Sequence, residues 1–196
     1  MVEIELKAWV TDPDGLRAQL SQRWGSGGPY DKQDTYYRAP PAAGAFEFRI
    51  RRTGEEAVCT RKEKHIEDGL EINREFEFAV RDAEALTDLV LRLGCTEFAR
   101  KRKHGQRFAV DGLTVELSDV TGLGWFVEIE ALVSDETERP TVEARIRGLL
   151  ADLGISERLI EPAPYTTMIA DPSTARSRPD AAGRGPDAVG RGPTAD

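Results

Sequence analysis

The chain has 196 residues, enough for one domain with a hydrophobic core, and its net charge of -8 argues against a general nucleic-acid binder. No apolar run approaches the ~20 residues of a membrane span. Two cysteines, Cys59 and Cys95, make no disulfide framework, two histidines, His65 and His104, are too few for a His-rich zinc site, and no secretory signal opens the chain, so a reducing cytoplasm is the expected setting.

Val2 to Trp9 alternates apolar and charged residues, which predicts a strand with Glu3, Glu5 and Lys7 on one face. Asp12-Pro13 reads as an N-cap with proline at the first helical position, Leu16, Leu20 and Trp24 follow at helical spacing, and Gly25 ends the helix. Residues 25 to 29 are expected to be a loop, and Asp31 to Tyr37 a second strand. Ala45 to Thr53 and Ala57 to Lys64 form a hairpin around Gly54-Glu55, with Glu47, Arg49 and Arg51 sharing one face and Thr60, Lys62 and Lys64 another. Ile66 to Gly69 is expected to be a polar turn before a strand over Leu70 to Val80, on which Glu75 and Glu77 share a face.

Asp82 caps a helix with Leu86, Leu89, Val90 and Leu93 on one stripe and Gly94 at its end. Phe98 to Val110 and Leu113 to Val120 pair across the Asp111-Gly112 turn, and Trp125 to Val133 carries Glu128 and Glu130 on its polar face. Thr141 to Leu153 is a third helix, stopped by Gly154. From Asp171 on, the chain holds four Gly, four Pro, four Arg and four Asp with no aromatic residue. The expected organisation is one domain over 1–170 and a disordered tail over 171–196.

About eight strands and three helices, mostly joined by hairpins, give an α+β fold with an antiparallel sheet. Nearly every strand carries like charges two residues apart. The acidic pairs are Glu3/Glu5, Glu75/Glu77 and Glu128/Glu130, and the basic pairs are Arg49/Arg51, Lys62/Lys64 and Lys101/Lys103. A closed eight-stranded barrel with helices packed outside would turn all of them into one lumen, whereas an open sheet would expose them to water. Buried charges need partners. Carboxylates suit Mg²⁺ or Mn²⁺, and Lys and Arg suit phosphate oxygens, so a lumen of this kind fits a metal with a polyphosphate.

Glu3-Ile4-Glu5-Leu6-Lys7 resembles the E-x-E-x-K signature of the CYTH, or triphosphate tunnel metalloenzyme, superfamily. In order along the chain, Gln33-Asp34-Thr35-Tyr36-Tyr37, Phe48-Arg49-Ile50-Arg51, Arg74-Glu75-Phe76-Glu77, Lys101-Arg102-Lys103, and Pro164-Tyr165-Thr166 are similar to further motifs of that superfamily. The segment from Gly122 to Glu130 is similar to the G-L-G-x-F-x-E-x-E of its class IV adenylyl cyclase branch. The resemblance implies an eight-stranded tunnel with Glu3, Glu5, Glu128 and Glu130 as metal ligands. It also implies Lys7, Arg49, Arg51, Lys62, Lys64, Lys101 and Lys103 as the triphosphate cradle, with Glu75 and Glu77 on metal or near the base. One position departs: Ser118 stands where many members have a metal-ligating Asp, and Glu116, two residues earlier on the same strand face, is the candidate substitute ligand.

The resemblance supports a phosphorus–oxygen lyase converting ATP to cyclic AMP and pyrophosphate. Two alternatives stay open: an inorganic or thiamine triphosphatase of the same fold, and a non-catalytic polyphosphate-binding module. The expected cofactor is Mg²⁺ or Mn²⁺, and the expected partner is a nucleoside or inorganic triphosphate, without nucleic acid or membrane and with a homodimer left open.

Overall fold

In the computed structural model, which describes residues 2–134, 136–175 and 179, eight antiparallel strands close into a barrel. The strands are β1 (Val2–Trp9), β2 (Gly28–Arg38), β3 (Glu47–Thr53), β4 (Glu56–Glu67), β5 (Leu70–Val80), β6 (Thr96–Val110), β7 (Leu113–Val120) and β8 (Gly124–Val133). Around the barrel the order is β1-β5-β4-β3-β2-β6-β7-β8. Strand β1 closes the ring because it pairs β5 on one side, with Ile4 opposite Ile72, and β8 on the other, with Glu5 opposite Glu130.

The helices are α1 (Pro13–Trp24), α2 (Ala83–Arg92), α3 (Arg139–Asp152) and α4 (Tyr165–Ala170). Asp12 caps α1 by accepting from the Gly15 amide at 2.9 Å, and Asp82 caps α2 by accepting from the amides of Glu84 and Ala85. Helices α1 and α3 cover the outer faces of β1, β6, β7 and β8, burying Leu20, Ile146 and Leu150 against Ile4, Leu6, Val115, Leu117 and Ile129. Helix α2 covers β2 and β3, with Val90 against Tyr37, Phe48 and Ile50. Among the described residues, Phe76 and Phe78 on the outer face of β5 lack such cover and stand 43% and 58% exposed, while Leu70 at the start of the strand is buried.

Several boundaries differ from the sequence expectation. Strand β2 starts at Gly28, because the glycine-rich stretch can continue an extended ladder against Arg107 of β6. Strand β4 runs on to Glu67, so the turn is only Asp68-Gly69, both with positive φ (50° and 80°), as at Asp111-Gly112. Helix α3 begins at Arg139 rather than Thr141, and Gly154 (φ 74°) stops it. The short α4 is a fourth helix, and it packs Met168 and Tyr165 against Trp9 and Phe126. Residues 171–175 continue in a 3-10 turn capped by Asp171. The rest of the expected tail lies outside the described residues, apart from 179.

Candidate active site

Period-two alternation on a closed barrel sends every second side chain inward. The result is a cavity of about 770 Å³ lined by Glu3, Glu5, Lys7, Arg49, Arg51, Lys62, Lys64, Glu75, Glu77, Lys101, Lys103, Glu116, Glu128 and Glu130. Every residue singled out from the sequence for metal or phosphate lies on this wall. The alternate residues of β6 go the other way: Arg100 and Arg102 face outward and pair with Glu97 and Asp31.

The charges sort into four groups. The first is acidic. Glu3 and Glu5 sit two residues apart on β1, and Glu130 faces Glu5 across the β1–β8 ladder. One carboxylate oxygen from each lies within 4.8 Å of the others. Burial, then Glu128 and Glu71, push the Glu5 carboxyl up to about 8. Burial, then Glu3, push Glu130 up to about 7. Glu3 accepts from Lys62 at 2.8 Å and from Asn73 at 3.1 Å. Lys62 also pairs with Glu75, and Glu77 accepts from the Thr60 hydroxyl at 2.9 Å.

The second group is a chain of buried pairs on β2, β6, β7 and β8. Lys32 donates to Glu116 at 2.5 Å, Lys103 lies 2.8 Å from Glu116 and also bonds Glu128, and Arg107 reaches Glu116 at 2.6 Å. Burial alone would raise Glu128, but Lys103 outweighs it and holds the carboxyl at about 2. Glu116 is likewise driven down against its burial by Lys103 and Lys32. Burial and Lys103 bring the Lys32 ammonium down to about 8 despite Glu116.

In the third group, Asp34 holds the basic side together. It accepts from Arg51 at 2.7 and 2.9 Å, and lies 3.1 Å from Lys101 and 3.8 Å from Arg49. Burial would raise its carboxyl, but Lys101 and Arg51 keep it well below the usual carboxylate range. The fourth group lies beside α4. Glu71 pairs with Lys64 at 2.5 Å and lies 3.9 Å from Lys7, which donates to the Ala163 carbonyl at 2.6 Å. The ammonium groups of Lys7 and Lys101 stand 4.3 and 4.7 Å from the centre of the Tyr165 ring. Burial lowers the Lys7 pKa.

Lys32 and Glu71 on the lining, and Asp34, which pairs with the lining residues Arg49, Arg51 and Lys101, were missed as site residues. Parity could have found each, since Lys32 and Asp34 share a face of β2 and Glu71 shares that of Glu75 and Glu77. None of the three forms a like-charge pair that stands out in the sequence, because each stands alone or beside an opposite charge.

A divalent cation fits the first group. Its donors are three hard carboxylate oxygens already drawn together, and their mutual repulsion calls for positive charge. Glu116 and Glu128 stand apart from that trio, held in ion pairs with lysines. Ser118, on the inward face of β7, is fully buried.

Among known proteins, a Methanocaldococcus jannaschii protein provisionally named as an adenylate cyclase is 25% identical over 165 residues, covering 80% of this chain and 92% of its own. The structure of a conserved hypothetical protein from Pyrococcus furiosus aligns with a TM-score of 0.73 at 28% identity, over 85% of this chain and 99% of that one. A Hippeastrum protein provisionally named as an adenylyl cyclase, whose structure is titled for a dominant triphosphatase activity, shares the barrel with a TM-score of 0.57 at 17% identity, over 86% of this chain and 94% of that one. The CYTH domain family model matches residues 1–165, and this chain therefore belongs to the CYTH domain family.

Proposed function

We propose that the tunnel binds a triphosphate together with one or more divalent cations and breaks a phosphorus–oxygen bond, the favoured reaction being ATP to cyclic AMP and pyrophosphate. The observation that carries this reading is the division of one cavity into an acidic trio, Glu3, Glu5 and Glu130, and a basic wall built from Arg49, Arg51, Lys62 and Lys101. Glu3, Glu5 and Glu130 would hold the cation, with Glu116 and Glu128 as further carboxylates behind Lys103. A bound Mg²⁺ or Mn²⁺ would supply charge neutralisation to phosphate oxygens as a Lewis acid.

The protein's own part is positioning and electrostatics. Arg51, Arg49 and Lys101 are already oriented by Asp34, so phosphate oxygens meet donors whose geometry is fixed before binding. Lys62 exchanges Glu75 and Glu3 for phosphate oxygens. Lys64 and Lys7, tied through Glu71, add charge near Tyr165. The closed barrel walls limit water, which strengthens each contact. In the cyclase reaction the ribose 3′-hydroxyl attacks the α-phosphorus, forms the new P–O bond and loses its proton, while the bond to pyrophosphate breaks. Tyr30, Tyr36 and Val58 on the lining give an adenine ring apolar surface. The relative's cyclase name and the Gly122 to Glu130 segment support the same reading.

The second reading is hydrolysis of inorganic or thiamine triphosphate. It draws support from the Hippeastrum neighbour's title and from a lining in which charged residues predominate. Product analysis separates the readings: the protein is incubated with ATP, inorganic triphosphate and thiamine triphosphate, each with Mg²⁺ or Mn²⁺. Cyclic AMP and pyrophosphate are expected from ATP. Orthophosphate from the other two, with no cyclic product, would move the assignment to the hydrolase. Binding of all three without turnover would leave a binding module.

A further inference from the structure

Strands β3 and β6, which carry Arg49, Arg51 and Lys101 of the basic wall inside the tunnel, join β2 to build a second cleft on their outer face. Between β2, β3 and β6, under α2 and the turn after β7, lies a cavity of about 480 Å³. It is lined by Arg52, Arg100, Arg102, Gln33, Thr35 and Thr121, with Tyr37 and Ile50 as a buried floor. Asp34 is the sole acid among the described lining residues, and its carboxylate is turned into the tunnel, onto Arg51 and Lys101.

The three guanidiniums are not equally committed. Arg100 spends Nε and Nη2 on Glu97, and Arg102 spends the same two atoms on Asp31, which leaves Nη1 of each available. Arg52 has no ion pair or side-chain hydrogen bond among the described residues. Arg52, together with the uncommitted edges of Arg100 and Arg102, stands beside the Gln33 amide and the hydroxyls of Thr35 and Thr121, a donor-rich cleft whose nearby carboxylates, Glu97 and Asp31, each occupy only one edge of one guanidinium. Its size excludes a folded partner, and its floor offers little exposed apolar surface for a base or lipid.

We infer that this outer cleft is a second anion site, separate from the tunnel, which takes a small di- or triphosphate through Arg52, Arg100 and Arg102. Arg52 follows Arg51, and Arg100 and Arg102 flank Lys101, so an anion on the outside borders the same backbone that carries the phosphate wall inside.

The test is an NMR titration of the metal-free, full-length protein with inorganic pyrophosphate, reading the arginine Nε–H resonances and the Thr121 amide. Saturable shifts at Arg52, Arg100, Arg102 and Thr121 are expected, and Arg52→Gln should weaken them about tenfold, the loss of one exposed charge-assisted contact. The tunnel variant Lys62→Ala should leave the outer shifts in place, which separates this site from the tunnel. Shifts confined to tunnel residues, or outer shifts that chloride of equal ionic strength reproduces without saturation, would overturn the inference. Arg52 holds no partner among the described residues, so its replacement leaves no orphaned group there and the variant should fold.

Discussion

At the scale of single residues, the sign of each carboxyl's displacement predicts how the protein responds to pH. Glu5 and Glu130 are raised to about 8 and about 7, whereas a glutamate in the unfolded chain titrates near 4.5. Across that window the folded state holds more protons than the unfolded one, so the stability these groups influence falls as pH rises. A divalent cation competes with the same protons. The melting temperature of metal-free protein should therefore decline from pH 5 to 8, and its rise on adding Mg²⁺ should grow over the same range. Scanning fluorimetry at four pH values checks both, and a metal-induced rise that shrinks towards pH 8 would contradict the assignment. Asp34, Glu116 and Glu128 carry the opposite sign: they are depressed, so their contribution is present above the unfolded value and is lost as pH falls towards acid.

Two isosteric changes then separate. Glu5→Gln removes a charge from a crowded acidic trio, so the metal-free protein should gain stability at pH 8 while metal-dependent turnover disappears. Glu128→Gln also abolishes turnover but withdraws a partner from buried Lys103, so it should lower the melting temperature. Arg51→Ala removes two hydrogen bonds from Asp34 but leaves Lys101 and Arg49 beside it, and should cost about 1.5–3 kcal/mol of stability by urea denaturation. Lys62→Ala should weaken triphosphate binding roughly ten- to hundred-fold, measured calorimetrically.

At the scale of elements, the covered and uncovered sides of the barrel should answer mutation differently. Phe126 is fully buried between Trp9 and Tyr165, with ring centroids 4.1 and 5.1 Å away. Phe126→Ala should cost about 3–5 kcal/mol. Phe78→Ser on the bare face of β5 should stay within about 0.5 kcal/mol, since the ring is already in water. Equal losses at the two positions would mean that something covers β5. The strands were legible because alternation survives in each one, and both well-capped helices announced themselves through Asp12-Pro13 and Asp82. Helix α4 was not legible: at six residues it has too few turns for a stripe, and its position depends on the ladder that pins Glu161 to β1 through the Lys7 carbonyl at 2.8 Å. The bare face of β5 was hidden for a related reason, because Phe76 and Phe78 have the parity of core residues and only the placement of α2 decides that they are not.

At the scale of the whole molecule, the chain beyond Ala175 should be dispensable. Ala175 still packs beside the Trp9 and Phe126 cluster, which moves the expected cut from Asp171 to the residue after Ala175. Deleting 176–196 should leave melting temperature and turnover nearly unchanged, because the segment's composition offers no apolar stripe. A drop of several degrees would show a docking site. Like-charge pairs pointed to a lumen, with an open sheet and a solvated ionic face as the alternative, and the closed barrel decides between them. They could not reveal the ring order, in which β2 meets β6 and β1 meets both β5 and β8, because no local pattern encodes a pairing across half the chain. That last closure has a kinetic consequence. Trp9 must find Phe126 and Val2 must find Val133, so the barrel cannot shut until nearly all of it has been made. Contacts of such long sequence separation slow folding, and until β1 is captured the edges of β5 and β8 stay open to other chains. Refolding from denaturant should thus be slow and sensitive to protein concentration, with the tunnel, which needs every strand, the last feature to form.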